Sequence, residues 1–432
     1  MNRLRKAVVA LLASAAILAP MAGAGRSAAA IDKTTVTVMT WENIATNTQI
    51  AAAMRTFEKL NPSIHVQMLP TPNTDYYTKL STLLIAKKLP DLFWSGNDWE
   101  QTWGAQRLLY NYSVLAKTAR TNDFDVSRFA PAAIENWSVG GQLYGLPSLM
   151  NTYGYFYNAD VLKAAKLPLP TIGWTYKQFL ADAQALTIKS GSTVTRYGAV
   201  SPFDDPFNMS QYAVSAGGQP FANKIASPTV VSASAQFKEG TALFVQAIKN
   251  GWITPPTYTG DSTAAFLSGK AAMMGGGQWI AAALLQSKPK FAWGFAPTPL
   301  VSKRVQIYDA VGIASPVYIA NPEAVWKVLT YLDSKAWEAI LPTAPVAPPA
   351  YVPAAMPYYN RLKAAGQGAT AAAINEMLTT PTKVPVRFMA PWAGKAATVL
   401  TAHWNDILLG KAPLSSIDQM VQEIRQRMQV TP

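Results

Sequence analysis

Between residues 35 and 94 the hydrophobic period switches four times, and this alternation restricts the fold more than any other stretch. The run Thr35-Val36-Thr37-Val38-Met39-Thr40 alternates as a strand does. Ile50, Ala53, Met54, Phe57 and Leu60 then recur at spacings of three and four, as on one face of a helix, with Thr46 or Asn47 as the expected cap. Asn61-Pro62 stops that helix, and Ile64, Val66 and Met68 alternate again. Tyr76, Leu80, Leu83 and Leu84 mark a second helix, and Pro90-Asp91 leads into Leu92-Phe93-Trp94. A β-α-β-α-β order of this kind implies a parallel α/β lobe with right-handed crossovers. Ligands of open parallel sheets sit at the carboxyl ends of the strands. Trp41 and Trp94 fall at two such ends.

The chain has 432 residues, half of them hydrophobic, so two or three lobes are expected. Its first thirty residues have the form of a secretory leader. Arg3, Arg5 and Lys6 precede an apolar stretch from Ala7 to Ala19, and Ala28-Ala29-Ala30 fits a cleavage site, with Ala22-Gly23-Ala24 as a second candidate. The apolar stretch is too short to span a bilayer. Removal of 1–30 takes away four cations and lowers the formal charge from +13 to +9. Export argues against nucleic acid as the partner of so basic a chain, and Lys and Arg are scattered rather than gathered on one helix. An anionic cell surface or wall polymer is a simpler source of attraction. The chain has no Cys, hence no disulfide and no lipid-bearing Cys, and it is expected to be exported, periplasmic or wall-associated, without a lipid anchor.

Further along, Gly140-Gly141 marks a turn, and Tyr153 to Asn158 reads as an aromatic strand. The chain is expected to cross between lobes near 146–152 and to recross over Val311–Ile319. Helices are expected over Lys177–Ser190, Ala235–Asn250 and Gly277–Gln286, after Pro322, and over about 392–429. Lys270 to Met274 reads as a strand ending in a tight turn at Gly275-Gly276-Gly277. The proline-dense Pro342–Pro357 stretch is incompatible with regular structure and reads as a hinge or wrapping segment.

No catalytic pattern stands out: G-x-S-x-G, H-E-x-x-H and G-x-x-x-x-G-K-[ST] are all missing. Two His and no Cys argue against a transition-metal site, and no cofactor is expected. The carboxylate pairs Asp98/Glu100 and Asp204/Asp205 suit either a glycosidase or the binding of sugar hydroxyls. The aromatic residues say more. Trp41, Trp94, Trp279 and Trp392 all fall at expected element ends. An indole face matches the C–H face of a pyranose, and burying it contributes roughly 1–2 kcal/mol. Hydroxyl specificity then needs polar partners, and Glu42, Asn43, Asn97, Asp98, Asn151 and Arg387 are suited to that work.

These residues also form a known pattern. The strand followed by Trp41-Glu42-Asn43, the run Phe57-Glu58-Lys59-Leu60-Asn61-Pro62, and Pro90-Asp91-Leu92-Phe93-Trp94 resemble the carbohydrate group of extracellular solute-binding proteins of ABC importers, which includes maltose-binding protein. Tyr144-Gly145-Leu146-Pro147 with Tyr157-Asn158-Ala159-Asp160 is similar to that family's first lobe crossing. Phe266-Leu267-Ser268-Gly269-Lys270 with Gly276, Gln278 and Trp279 resembles the segment that holds a sugar-stacking Trp, as does Trp392 before the last helices.

The resemblance implies an α/β, two-lobed fold of the periplasmic-binding-protein type II class, with a hinge, chain crossings between lobes, and ligand in the cleft. Lobe one would comprise 31–148 with about 315–350. Lobe two would comprise 149–314 with about 351–432, C-terminal helices included. Trp41, Asn43, Trp94, Asn97 and Asp98 would belong to lobe one. Tyr155, Asp204, Asp205, Trp279, Arg387 and Trp392 would belong to lobe two or its extension. Glu42, Tyr76, Asn151, Gln278 and Asp309 complete the candidate set. The implied partners are a carbohydrate and the membrane permease, for a monomeric protein that is no enzyme. Two rivals keep part of this picture: the same fold with a glycerol phosphodiester or polyamine, and a secreted carbohydrate-active enzyme. An adhesin is a third.

Overall fold

The computed structural model describes residues 33–119, 124–200 and 205–429, apart from the side chains of Asn97 and Asp98. The expected leader and Asp204 lie outside the described residues. Among the described residues the strands are β1 Thr34–Thr40, β2 Ile64–Pro70, β3 Leu92–Gly96, β4 Ser138–Val139, β5 Gln142–Leu143 and β6 Gly145–Asn158, followed by β7 Ile188–Ser190, β8 Thr193–Val200, β9 Ala271–Gly277, β10 Trp293–Pro297, β11 Gln306–Ala314 and β12 Lys383–Pro385. Ten of them form one sheet in the order β2-β1-β3-β11-β6-β9-β8-β7, with β12 on β11 and β10 on β6. The first three strands are parallel, as their helical crossovers imply, with β1 in the middle.

The helix between β1 and β2 spans Ile44–Leu60 and buries Ile50, Ala53, Met54 and Phe57. Its cap is neither Thr46 nor Asn47 but Asn43, whose side-chain oxygen accepts from the Thr46 N–H at 2.9 Å. Asn47 instead braces the loop before it. Its amide donates to the Glu42 carbonyl at 2.6 Å, and its oxygen accepts from the Thr40 hydroxyl. The helix between β2 and β3 spans Asn73–Ile85.

β6 is fourteen residues long and buried throughout. Its first half pairs antiparallel with β11, Asp309 standing opposite Asn151, and its second half pairs with β9 and β10. β11 also pairs with β3, where Ile313 stands opposite Trp94. A register shift lies between Val311 and Gly312. Gly312 and Gly145 are needed where these strands pass under Trp137: a Cβ on Gly312 would stand 2.4 Å from that indole and 2.3 Å from the Leu146 carbonyl oxygen. Gly140 and Gly141, both with positive φ, make the two-residue turn that joins β4 to β5.

The proline-dense stretch is a wrapping segment. Met150 N–H donates to the Pro348 carbonyl and Ala350 N–H to the Ser148 carbonyl, each at 2.8 Å, so this arm lies along one edge of β6. Proline's missing N–H costs nothing there, because the donors come from β6 and from Ala350.

Several elements differ from expectation. The helix expected to reach Ser190 ends at Leu186, and β7 takes over. The three glycines of 275–277 are not a turn but the end of β9, opposite Tyr155, Gly154 and Tyr153. Their smallness leaves room for the Trp279 ring, since a Cβ on Gly277 would lie 1.9 Å from it. Helices Met356–Ala364 and Gly368–Thr379 fill a stretch in which the sequence predicts no element.

The hydrophobic side chains gather in two main clusters. One holds Val38, Phe57, Phe93, Trp137, Leu329 and Ile374. The other holds Tyr155, Phe179, Phe221, Phe237, Trp404 and Ile424. No helix among the described residues is long and apolar enough to cross a membrane.

Candidate functional site

The candidate residues fall into three groups. The first lies where β1 and β3 end. Trp41, directly after β1, is half-buried and meets the Tyr76 ring edge-on at 5.0 Å and the Tyr77 ring at 5.7 Å. Tyr77 in turn stacks on Trp99, centroids 5.0 Å apart and planes at 20°. Trp99 is braced by Trp103 at 4.9 Å. Trp41, Tyr77 and Trp99 are all half-buried, so each keeps some ring surface open to solvent.

Trp94 does not share that role. It is wholly buried on β3, which corrects the expectation that its face is a platform. A residue inside a five-residue strand buried on both faces packs into the core. What Trp94 offers is its indole N–H, donated to a Glu42 carboxylate oxygen at 3.2 Å. Burial pushes the Glu42 carboxyl up to about 7, against the opposing pull of that indole N–H. Tyr76 is also fully buried, and its hydroxyl donates to the Trp94 carbonyl at 2.8 Å and the Met39 carbonyl at 3.3 Å. Tyr76, expected as a ligand contact, thus ties β1 to β3 with its hydroxyl and keeps its ring in the core. Asn43 is exposed, with its oxygen engaged as the helix cap.

The second group surrounds the pairing of β6 with β11. Asp309, 2% exposed, accepts from the Tyr153 hydroxyl at 2.8 Å and from the Arg387 guanidinium at 3.3 Å. Asn151 stands opposite Asp309 in the ladder, and its side-chain oxygen accepts from the Gln278 amide at 3.3 Å. Gln278 is fully buried, against the expectation of an exposed contact. Its amide continues the sheet where β9 has ended: the nitrogen donates to the Met150 carbonyl at 3.0 Å, and the oxygen accepts from the Thr152 N–H at 2.8 Å. Trp279 comes next in the chain, is 38% exposed, and meets Tyr153 edge to face at 5.5 Å. Arg387 keeps 43% of its side chain exposed.

The third group is drawn elsewhere. Tyr155 packs against Phe179 at 4.6 Å and Trp174 at 5.8 Å in the second cluster. Trp392 is 7% exposed and packs on Phe388 at 5.0 Å. Neither offers an open face. Asp205 caps the helix Pro206–Ser215, accepting from the Phe207 N–H at 2.7 Å and the Asn208 N–H at 3.1 Å.

The first two groups lie close along the sheet. β3 ends at Gly96 opposite Val311, two residues from Asp309. The helix that starts there, Asn97–Ala105, also reaches the segment carrying Arg387: Thr102 donates to the Ala390 carbonyl at 3.4 Å, and the Gln101 amide oxygen accepts at 2.8 Å from the hydroxyl of Ser227, whose N–H donates to the Met389 carbonyl at 2.6 Å. Gln101 is held in that pose by two bonds of 3.0 Å, from its amide nitrogen to the Asn136 and Ser138 carbonyls. Sequence reasoning passed over Tyr77, Trp99 and Tyr153. Tyr77 and Trp99 carried a signal, since each is an aromatic within one turn of a helix start near a site strand. Tyr153 carried none, because its partnership with Asp309 depends on register.

Residues 40–339 match the bacterial extracellular solute-binding protein family. The chain belongs to that family. Among curated relatives of this solute-binding protein is a multiple sugar-binding protein of Streptococcus mutans, 22% identical over 56% of this chain and 56% of its own length. The match thus spans little more than half of that relative. A lactose-binding protein of Rhizobium radiobacter is 23% identical over 70% of this chain and 68% of its own. Among solved structures, an ABC substrate-binding protein from Listeria monocytogenes in complex with cycloalternan superposes with a TM-score of 0.78, at 20% identity, covering 92% of this chain and all of the other. That likeness shows the fold of this solute-binding protein, the two-lobed type II class expected from the sequence. The resemblance drawn from its motifs is likewise borne out.

Proposed function

We propose that this protein is the solute-binding component of an ABC importer and that it captures a carbohydrate, an oligosaccharide or a glycoside, in a cleft between two lobes. The observation that carries this reading is the half-buried aromatic array of Trp41, Tyr77 and Trp99 at the ends of β1 and β3, beside the polar group of Asn151, Asp309 and Arg387 with Trp279. Aromatic faces and a few fixed polar groups are what a sugar requires: rings for its C–H faces, hydrogen-bonding groups for its hydroxyls. The sugar ligands in the names of the relatives support the same class.

In this reading lobe one comprises 31–148 with about 315–350, and lobe two comprises 149–314 with about 351–432. β6 and β11 are then the crossings, and ligand favours the closed state because it touches both lobes. The protein acts as a monomer outside the cytoplasm, binds no nucleic acid and performs no chemistry on its ligand. It presents the closed form to the permease.

The test is a thermal-shift panel of mono-, di- and oligosaccharides, lactose and maltotriose included, read in parallel by tryptophan fluorescence. One sugar should raise the melting temperature by mass action and shift the emission. Silence in both signals across the panel overturns the reading. Shortened glycans after incubation with the protein would replace it with an enzyme.

A further inference from the structure

A second surface lies at the far end of the same strands. Trp41 and Gly96 stand at the carboxyl ends of β1 and β3. Leu89 precedes β3, and Val317 follows β11, which runs antiparallel to β3, so both belong to the opposite pole. Leu89 N–H donates to the Tyr318 hydroxyl at 3.1 Å, and Val317 N–H donates to the Leu108 carbonyl at 2.9 Å, which joins three segments into one surface. On it Ile85, Val317 and Tyr318 are 85%, 52% and 42% exposed. Lys87, Lys88 and Arg107, all exposed, stand beside them.

Two of these cations sit in left-handed backbone, as Lys166 and Lys288 also do elsewhere in the chain. Lys87 and Arg107 have φ of 53° and 58°, each just past the end of a helix, where glycine is the ordinary choice. A side chain held in left-handed backbone is unfavourable.

We propose that this pole docks on an anionic phospholipid bilayer. Three cations suit the phosphate band, and the exposed apolar side chains suit the acyl layer beneath it, a pairing that surface-bound segments use. A soluble polyphosphate would satisfy the cations and leave Ile85 and Val317 in water, so the apolar side chains favour the bilayer. The formal charge, +9 once residues 1–30 are removed, adds long-range attraction. Because the solute site lies at the other end of the strands, docking leaves it open.

Flotation with vesicles tests the idea, using phosphatidylglycerol mixed with phosphatidylcholine against pure phosphatidylcholine. The native protein should float with the anionic vesicles alone, and less so at high salt. Each cation is worth about fivefold, so K87Q/K88Q/R107Q should bind roughly a hundredfold more weakly. The charge-matched control K249Q/K288Q/K290Q, altered at exposed lysines elsewhere, should stay within a few-fold of native. I85S/V317S should also weaken binding while leaving the melting temperature unchanged. Equal loss in both charge triples, native binding by I85S/V317S, or failure of the native protein to float each overturns the proposal. Capture of soluble polyphosphate with no vesicle binding assigns the surface to a polyanion instead.

Discussion

The Trp279 indole meets the Tyr153 ring edge to face, centroids 5.5 Å apart and planes at 89°. Tyr153 is in turn fixed by its hydrogen bond to Asp309, and the Trp279 side chain folds over Gly277, where no Cβ would fit. The exposed indole is thus held from behind, so its free face costs little ordering when a ligand covers it. Trp279→Ala should weaken binding of the responding sugar by about tenfold, the worth of one buried ring face. Isothermal titration gives the affinity. The melting temperature should move little, because the ring is largely outside the core.

Glu42 makes stability depend on pH. Burial raises its carboxyl from 4.5 to about 7. Between those values the folded chain keeps a proton that the unfolded chain has lost, so stability falls as pH rises through that window and levels off above it. The change is worth at most roughly 3 kcal/mol. Urea unfolding from pH 4.5 to 8 should show this decline, and Glu42→Gln should flatten it. An equal slope in both proteins would exclude Glu42 as its source.

Glu100 is fully buried on the helix after β3, and neither carboxylate oxygen has a hydrogen-bond partner among the described residues. Burial holds its carboxyl far above the usual range. Replacing it by methionine, which conserves bulk, should stabilise the protein by about 1–3 kcal/mol near neutral pH. Chemical denaturation of Glu100→Met against the native chain measures this directly.

Gly312→Ala should act in the opposite sense. The new methyl would press on the Leu146 carbonyl and the Trp137 indole, two groups with no room to move. A loss of about 1–3 kcal/mol is expected, read as a lower denaturation midpoint. Gly140→Ala, in an open turn with positive φ, should cost less.

Local order is legible wherever period and punctuation agree. The alternation of Val36 with Val38, the stripe from Ile50 to Phe57 and the stop at Asn61-Pro62 place β1, the first helix and β2 within a few residues. Side-chain roles are less legible, because they depend on register between distant strands. Trp94 reads as a strand-end aromatic in one dimension, but pairing with Ile313 seals it inside. Gln278 reads as a polar residue beside a site tryptophan, yet its amide is consumed by the backbone of β6. Asn43 and Asp205 read as ligand contacts in the sequence and serve as helix caps in the fold, a use their residue types already favour. Asp309 and Arg387 come from positions 78 residues apart, and only β11 and the segment after β12 bring them together.

The arm at Pro348–Ala350 has a mechanical consequence. It occupies the edge that β6 would otherwise leave bare, so the strand is gripped from both sides at Leu149 and Met150. A strand gripped in this way resists bending out of the sheet but can still twist about its own length. Proline fixes φ in the arm, which therefore travels with the strand as a stiff splint instead of trailing as slack chain. In the proposed two-lobed reading, opening should accordingly follow one rotational path, with the pivot displaced from the splinted residues toward Thr152 and Tyr153, where β6 changes neighbours.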